Sequence, residues 1–134
     1  MSQLLSVVVP VFQNESNLPH TVPALLALRD KLDGCALELL FVDDGSSDRS
    51  FELLQGFAAQ HADVIRVVRL ARNFGQTPAV QAGLRFARGD CVGIISADLQ
   101  EPPEMLLAML AEWRRGAKFV IGEQIGRASC RERV

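Results

Sequence analysis

The chain has 134 residues, room for one domain, and its 49% apolar and 22% charged composition is that of an ordinary globular protein. A formal charge of −2 gives no bulk electrostatic reason to bind nucleic acid or an anionic membrane surface. No apolar run approaches the ~18 residues of a membrane span, and no basic segment leads into an apolar one at the N-terminus, so neither a span nor a signal peptide is expected.

In chain order, apolar β-rich runs alternate with helical patterns. "LSVVVPVF" (5–12) reads as a strand covered on both faces. Residues 17–33 carry Leu18, Val22, Leu25, Leu26, Leu28 and Leu32 on one helical face, with Pro19 and Pro23 tolerable only near its start. "ALELLFVDD" (36–44) is the second strand. A helix over 47–61 follows, opened by Ser46-Ser47-Asp48 and burying Phe51, Leu54 and Phe57. "VIRVVRL" (64–70) is the third strand, and the helix 77–88 starts at Thr77-Pro78 and closes near Gly89. "CVGIISAD" (91–98) is the fourth strand. The helix 103–115 begins at Pro103-Glu104 and packs Trp113 into the core, and "KFVIG" (118–122) is a fifth strand.

This alternation predicts an α/β fold, a doubly wound, mostly parallel sheet of Rossmann-like kind with right-handed crossovers and helices on both faces. Ligands of such sheets sit beyond the carboxyl ends of the strands, near the switch point. Every polar cluster falls there: "QNES" after the first strand, "DDGSSD" after the second, "ARNFGQ" after the third and "SADLQ" after the fourth.

Asp43 and Asp44 at a strand end, with Gly45 for the turn, suit hydrogen bonding to a nucleobase or ribose; a turn-and-capping role is the alternative for Asp43, Ser46 and Ser47. Asp98 and Gln100 are read as alternating along an extended segment, with both side chains on one side. One carboxylate plus one amide oxygen is a sparse set of hard donors, suited to Mg²⁺ or Mn²⁺ that takes waters and substrate phosphates as further ligands. A helix-capping role is the alternative for Asp98. Arg72, Asn73 and Gly75 precede a helix N-terminus, where backbone N–H groups favour anions. His20 and His61 read as surface residues. Cys35, Cys91 and Cys130 lack CxxC spacing and read as reduced thiols of a cytoplasmic protein rather than zinc ligands.

Together "VVVPVFQNESNL", "FVDDGSSD", "RNFGQTPAVQAGL" and "SADLQEPPE" resemble, in order and spacing, the N-terminal half of a glycosyltransferase family 2 catalytic domain of the GT-A fold. The likeness is to the branch with dolichyl-phosphate mannose synthase and the bacterial polyprenyl-phosphate sugar transferases, and it covers nearly all of residues 4–124. The resemblance implies an inverting transfer from a UDP- or GDP-sugar to a polyprenyl-phosphate or glycan acceptor. It places the base and ribose against Pro10, Phe12 and a following polar residue, with Val42 and Asp44 opposite; Asn14 and Glu15 are alternatives for the polar contact. Arg72, Gly75, Ala97 and Asp98 would complete the donor site, with Mg²⁺ or Mn²⁺ on Asp98 and Gln100. Where the family often has Asp-x-Asp, this chain has Ser96-Ala97-Asp98, which removes one carboxylate.

Residues 125–134, "IGRASCRERV", break the pattern, and one reverse translation of them resembles a widely used sequencing adapter. The expectation is therefore a donor-binding part over 1–124 and a non-native tail over 125–134. The catalytic residues would then lie beyond Gln124, and this chain would be inactive by itself. The longer protein is expected at the cytoplasmic face of the inner membrane, and self-association is expected of the unfinished sheet. Three other readings lack the sequence features they require. A dehydrogenase or a nucleotidyltransferase would need a Gly-rich loop where "PVFQNE" stands. A receiver-like phosphoacceptor would need its acidic pair after the first strand, whereas here the acids follow the second and fourth.

Overall fold

The computed structural model describes residues 3–116 and the backbone of 119–123 and 129–133. The elements are β1 (Gln3–Val11), α1 (Leu18–Leu26) running into a 3-10 turn (Ala27–Lys31), β2 (Cys35–Asp43), α2 (Ser50–Gln60), β3 (Ile65–Arg69), α3 (Gln76–Phe86), β4 (Cys91–Ile94), α4 (Glu104–Arg114), β5 (Phe119–Glu123) and β6 (Ser129–Arg133). The first helix stops short of its expected end. Pro23 inside it has no N–H to return to the preceding turn, and the chain tightens into the 3-10 turn at Ala27.

Four strands form a parallel sheet in the order β3-β2-β1-β4. The chain steps outward from β1 to β2 to β3, then returns past both to lay β4 on the far side of β1. Right-handed crossovers put helices of the outward steps on one face and the returning helix on the other. The side chains follow that rule. On one face Leu5, Val7, Val9, Leu39 and Phe41 pack with Leu18, Val22 and Leu25 of α1, Leu54 of α2, and Leu106 and Leu110 of α4. On the other face Val8, Leu40 and Val42 pack with Ala79 of α3. Alternate residues of β1 and β2 thus feed opposite cores, as the period of two requires. Trp113 is half-buried against the larger core, as its helical spacing predicts.

The fifth strand departs from expectation. β5 forms near the predicted place but pairs antiparallel with β6 in a separate two-stranded sheet. An apolar run marks a strand without naming its partner, because every sheet edge offers the same row of N–H and C=O groups. β6 lies within the segment read as non-native. Cys130 falls outside the residues whose side chains are described, whereas Cys35 and Cys91 carry free, half-buried thiols. Among the described residues β4 is an edge of the four-stranded sheet, and its Val92 and Ile94 are exposed.

Candidate functional site

β1 and β4 are neighbours whose following loops diverge, so the switch point of the sheet lies between their carboxyl ends. A cleft of about 350 Å³ opens there. Pro10, Phe12 and Asn14 line it from the end of β1, Asp44 from the end of β2, Gly75 from the loop before α3, and Ala97 and Asp98 from the end of β4. Four segments scattered over 90 residues of sequence thereby meet in one place.

Asp44 is almost fully buried at the rear of this cleft. Its carboxylate accepts the backbone N–H of Phe74 at 2.8 Å, that of Gly75 at 3.0 Å and the Asn73 carboxamide at 2.9 Å. The side chain thus fixes the loop that forms the opposite wall. Gly45 makes this approach possible, because a Cβ there would lie 2.5 Å from the Arg72 carbonyl carbon. Its φ of 72° is also in the left-handed region.

The loop after β1 is clamped to the start of α2 by reciprocal bonds. Gln13, itself at φ 54°, accepts Ser47 N–H at 2.8 Å through its amide oxygen and donates to the Ser47 hydroxyl at 2.8 Å. Glu15 accepts Arg49 N–H at 3.1 Å, and the Ser50 hydroxyl accepts Asn14 N–H at 2.9 Å. Asp48 accepts the N–H groups of Glu15 (3.1 Å) and Ser50 (3.0 Å). Burial pushes the Asp48 carboxyl up, but the bonds from the Ser50 hydroxyl and from backbone N–H groups outweigh it, leaving the carboxyl below its usual range. Asp48 alone of the expected capping trio bonds into the first turn of α2. Ser46 and Ser47 instead accept from Gln13.

The "SADLQ" segment differs from the extended strand expected of it. β4 ends at Ile94, and Leu99 takes a φ of 52°, so the chain turns between Asp98 and Gln100 rather than alternating. Left-handed backbone is costly for a residue such as leucine and persists only where its surroundings fix it. Here the Thr21 hydroxyl holds the Ala97 carbonyl at 2.5 Å, and Leu99 N–H closes on the Ser96 carbonyl at 3.2 Å. Asp98 and Gln100 still meet, in a second cleft of about 320 Å³ that adjoins the first and shares Gln76, Ser96 and Asp98 with it.

The remaining expected contacts are placed elsewhere. Val42 lies in the core beneath the cleft, Glu15 faces α2, and Arg72 is exposed with its guanidinium 4.7 Å from the Phe74 ring centre. Asp43 neither turns nor caps: it ends β2, fully buried, with Arg69 Nε at 3.7 Å. Gln76 and Ser96 line both clefts, and neither is among the site residues that the sequence points to. The sequence signals for them were weak: Gln76 directly follows Gly75 at the helix start, and Ser96 precedes the acid by two. Among the described residues no three His, Cys, Asp or Glu side chains converge as for a metal ion, and no helix is long and apolar enough to cross a membrane.

A parallel sheet with its cleft at the switch point, walled by these four loops, defines an α/β domain of the ligand-binding, doubly wound class. The profile described as Glycosyl transferase family 2 matches residues 6–133, and the chain belongs to that family. It is 38% identical over 118 residues to the uncharacterized glycosyltransferase YkcC of Bacillus subtilis (strain 168), covering 86% of this chain and 35% of that protein. It is 42% identical over 117 residues to the undecaprenyl-phosphate 4-deoxy-4-formamido-L-arabinose transferase of Pseudomonas aeruginosa (strain LESB58), covering 87% and 34%. The chain thus spans about a third of the length of these curated relatives. In fold it is similar to the mannosyltransferase PcManGT from Pyrobaculum calidifontis in complex with GDP-Man and Mn²⁺. The TM-score is 0.66 and the identity 24%, over 79% of this chain and 31% of that one.

Proposed function

We propose that the protein to which this chain belongs is an inverting glycosyltransferase that moves a sugar from a nucleoside-diphosphate donor to a polyprenyl phosphate. In this reading residues 1–124 are its donor-binding part, residues 125–134 are not native, and the 134-residue chain binds donor without transferring it. One observation carries the reading: the four polar loops of the sheet meet in a single cleft at the switch point. The relative that names undecaprenyl phosphate supports the acceptor, and the fold relative holding GDP-Man and Mn²⁺ supports the donor and the metal.

Phe12, exposed at the cleft, offers a ring face for a base, and Asn14 offers a carboxamide beside it. Asp44 acts chiefly by holding the wall formed by residues 73–75. The N-terminus of α3, whose Gly75 N–H is already taken by Asp44, opens at the cleft with Gly75 and Gln76, and the N–H groups beyond Gly75 suit the diphosphate. Asp98 and Gln100 present hard oxygen donors of the kind that magnesium and manganese prefer, and they fit such an ion together with phosphate oxygens. Bound there, the ion supplies positive charge against the departing nucleoside diphosphate. A polyprenyl phosphate is already an anion, so its attack needs little help from a base. In this reading a polyprenyl-phosphate acceptor places the longer protein at a membrane surface, and a nucleotide-sugar donor places it at the cytoplasmic face.

Calorimetric titration of the chain with UDP and GDP, with and without Mn²⁺, tests the reading. Metal-dependent binding that is lost in Asp98→Ala and weakened less in Gln100→Ala supports it. Equal affinity with and without metal removes the metal role, and absence of any nucleotide binding removes the donor site.

A further inference from the structure

We infer that Glu101 is a further carboxylate of the metal end of this site, acting with Asp98 across the Ser96 hydroxyl. The inference rests on the metal reading of Asp98 and Gln100 given above. The turn at Leu99 reverses the chain, so that residues 98 and 101 come back to one atom. Ser96 Oγ lies 2.8 Å from Asp98 Oδ1 and 3.4 Å from Glu101 Oε1. A hydroxyl has one proton to donate and serves only one of the two at a time. Gln100 N–H reaches the same Asp98 oxygen at 3.3 Å, and Glu101 gains nothing from it. Neither carboxylate forms an ion pair among the described residues. Two anions therefore share one neutral donor; Asp98 is exposed, so water screens part of their repulsion, and a cation set between them would offset the rest.

The backbone limits escape from this arrangement. Glu101 precedes Pro102, which restricts it to extended conformations, and Leu99 is held by the Ser96 carbonyl. Glu101 is half-buried in the wall of the second cleft, beside Gln76, Asp98 and Gln100. The two carboxylates, the Gln100 amide and the Ser96 hydroxyl are all hard oxygen donors, and two negative charges match one divalent cation. In this arrangement Glu101 contributes charge to the site and sets the affinity for the ion, while Asp98 remains the ligand on which binding depends.

The test is a Mn²⁺ titration of the 134-residue chain without nucleotide, followed by loss of the free-ion paramagnetic resonance signal, with melting temperature recorded for each variant. Asp98→Asn should abolish binding. Glu101→Gln should weaken it at least about tenfold, the loss that even outer carboxylates of metal sites produce. Glu101→Asp, which keeps the charge on a shorter arm, should fall between parent and Glu101→Gln, and it serves in place of Glu101→Gln should the amide variant not fold. If Glu101→Gln keeps the parent Mn²⁺ affinity while Asp98→Asn loses it, the inference is overturned and the Asp98 and Gln100 site stands. A lower melting temperature with unchanged Mn²⁺ affinity likewise overturns it, since Glu101 would then be structural. If the parent chain takes up Mn²⁺ only with UDP or GDP present, the same variant comparisons are read there; if it takes up none under either condition, or Asp98→Asn binds it as well as the parent does, both the metal reading and the inference fall.

Discussion

Asp44 Oδ1 accepts the backbone N–H of Phe74 at 2.8 Å, across 30 residues of sequence, and this bond joins the end of β2 to the loop before α3. With the bonds from Gly75 and Asn73 it leaves the carboxylate surrounded by donors from its own chain. An amide in its place would set an NH₂ against an N–H. Asp44→Asn should therefore lower stability by about 1–3 kcal/mol, the range for a buried partner left unsatisfied. It should also weaken nucleotide binding, because the loop it releases lines the cleft. Urea unfolding together with UDP and GDP titration checks both. Unchanged stability would mean that the loop is held by other contacts.

Much of this arrangement was legible in the sequence, and the reason is local. The apolar runs of β1 and β2, the proline in the first turn of α3 and the prolines before α4 announce elements from short windows, and strand ends in a parallel sheet must share one edge. The clustering of "QNES", "DDGSSD", "ARNFGQ" and "SADLQ" at one cleft follows from that geometry. Which side chain faces inward does not. Gln13 and Glu15 turn toward α2, and Asn14 between them borders the cleft; β1 has ended at Val11 and Gln13 sits at φ 54°, so the apolar pattern of the strand does not decide which way these residues face. The turn at Leu99 is equally silent, since leucine carries no signal for left-handed backbone. The partner of β5 was illegible too, because strand pairing is decided by distant segments.

Glu38, in the middle of β2, reports on acid sensitivity. It accepts the Ser6 hydroxyl at 2.7 Å, Arg66 Nη1 at 2.8 Å and Arg88 N–H at 3.0 Å. Burial pushes its carboxyl up, but these bonds and the Arg66 charge together bring it below the usual range. A folded-state value below the unfolded one means that the stabilisation is complete above the unfolded pKa and is lost as pH falls through the folded one. Stability of the parent should accordingly decline in the acid range below the ordinary carboxylate value. In Glu38→Gln that decline should be shallower and the neutral-pH stability lower. Denaturant midpoints measured from neutral pH downward test this. An identical pH slope in both chains would exclude Glu38 as a contributor, leaving other carboxylates such as Asp48.

Gly83 sets how closely α3 approaches the sheet. A Cβ at this position would collide with Val8 Cγ1 and come within 3.2 Å of Val42 Cγ2. These are buried branched side chains with little room to turn away. Gly83→Ala should cost about 1–3 kcal/mol through overpacking, outweighing the better helix propensity of alanine. Because α3 also carries Gly75 and Gln76 at its cleft end, the shift should weaken nucleotide binding as well. A stabilised Gly83→Ala chain would show that α3 rides further from β1 than this packing implies.

The Asp43 carboxylate is fully buried and faces the half-exposed Arg69 guanidinium. Both Asp43 oxygens are enclosed without a hydrogen-bond partner, and Arg69 Nε stands at 3.7 Å, with its guanidinium 4.3 Å from the centre of the Phe51 ring. Removing the cation leaves an uncompensated buried carboxylate, for which losses of about 3–5 kcal/mol are typical. Arg69 is half-exposed and water screens part of its charge, so Arg69→Ala should fall at or below the lower end of that range. The pair is best separated from simple packing by a double-mutant cycle. Asp43→Asn should recover stability in the Arg69→Ala background, since it takes away the stranded charge, and should cost stability in the parent, where it takes away the pairing. If the two substitutions are additive in urea unfolding, the 3.7 Å approach carries no coupling energy and the loss in Arg69→Ala comes from the stacking on Phe51.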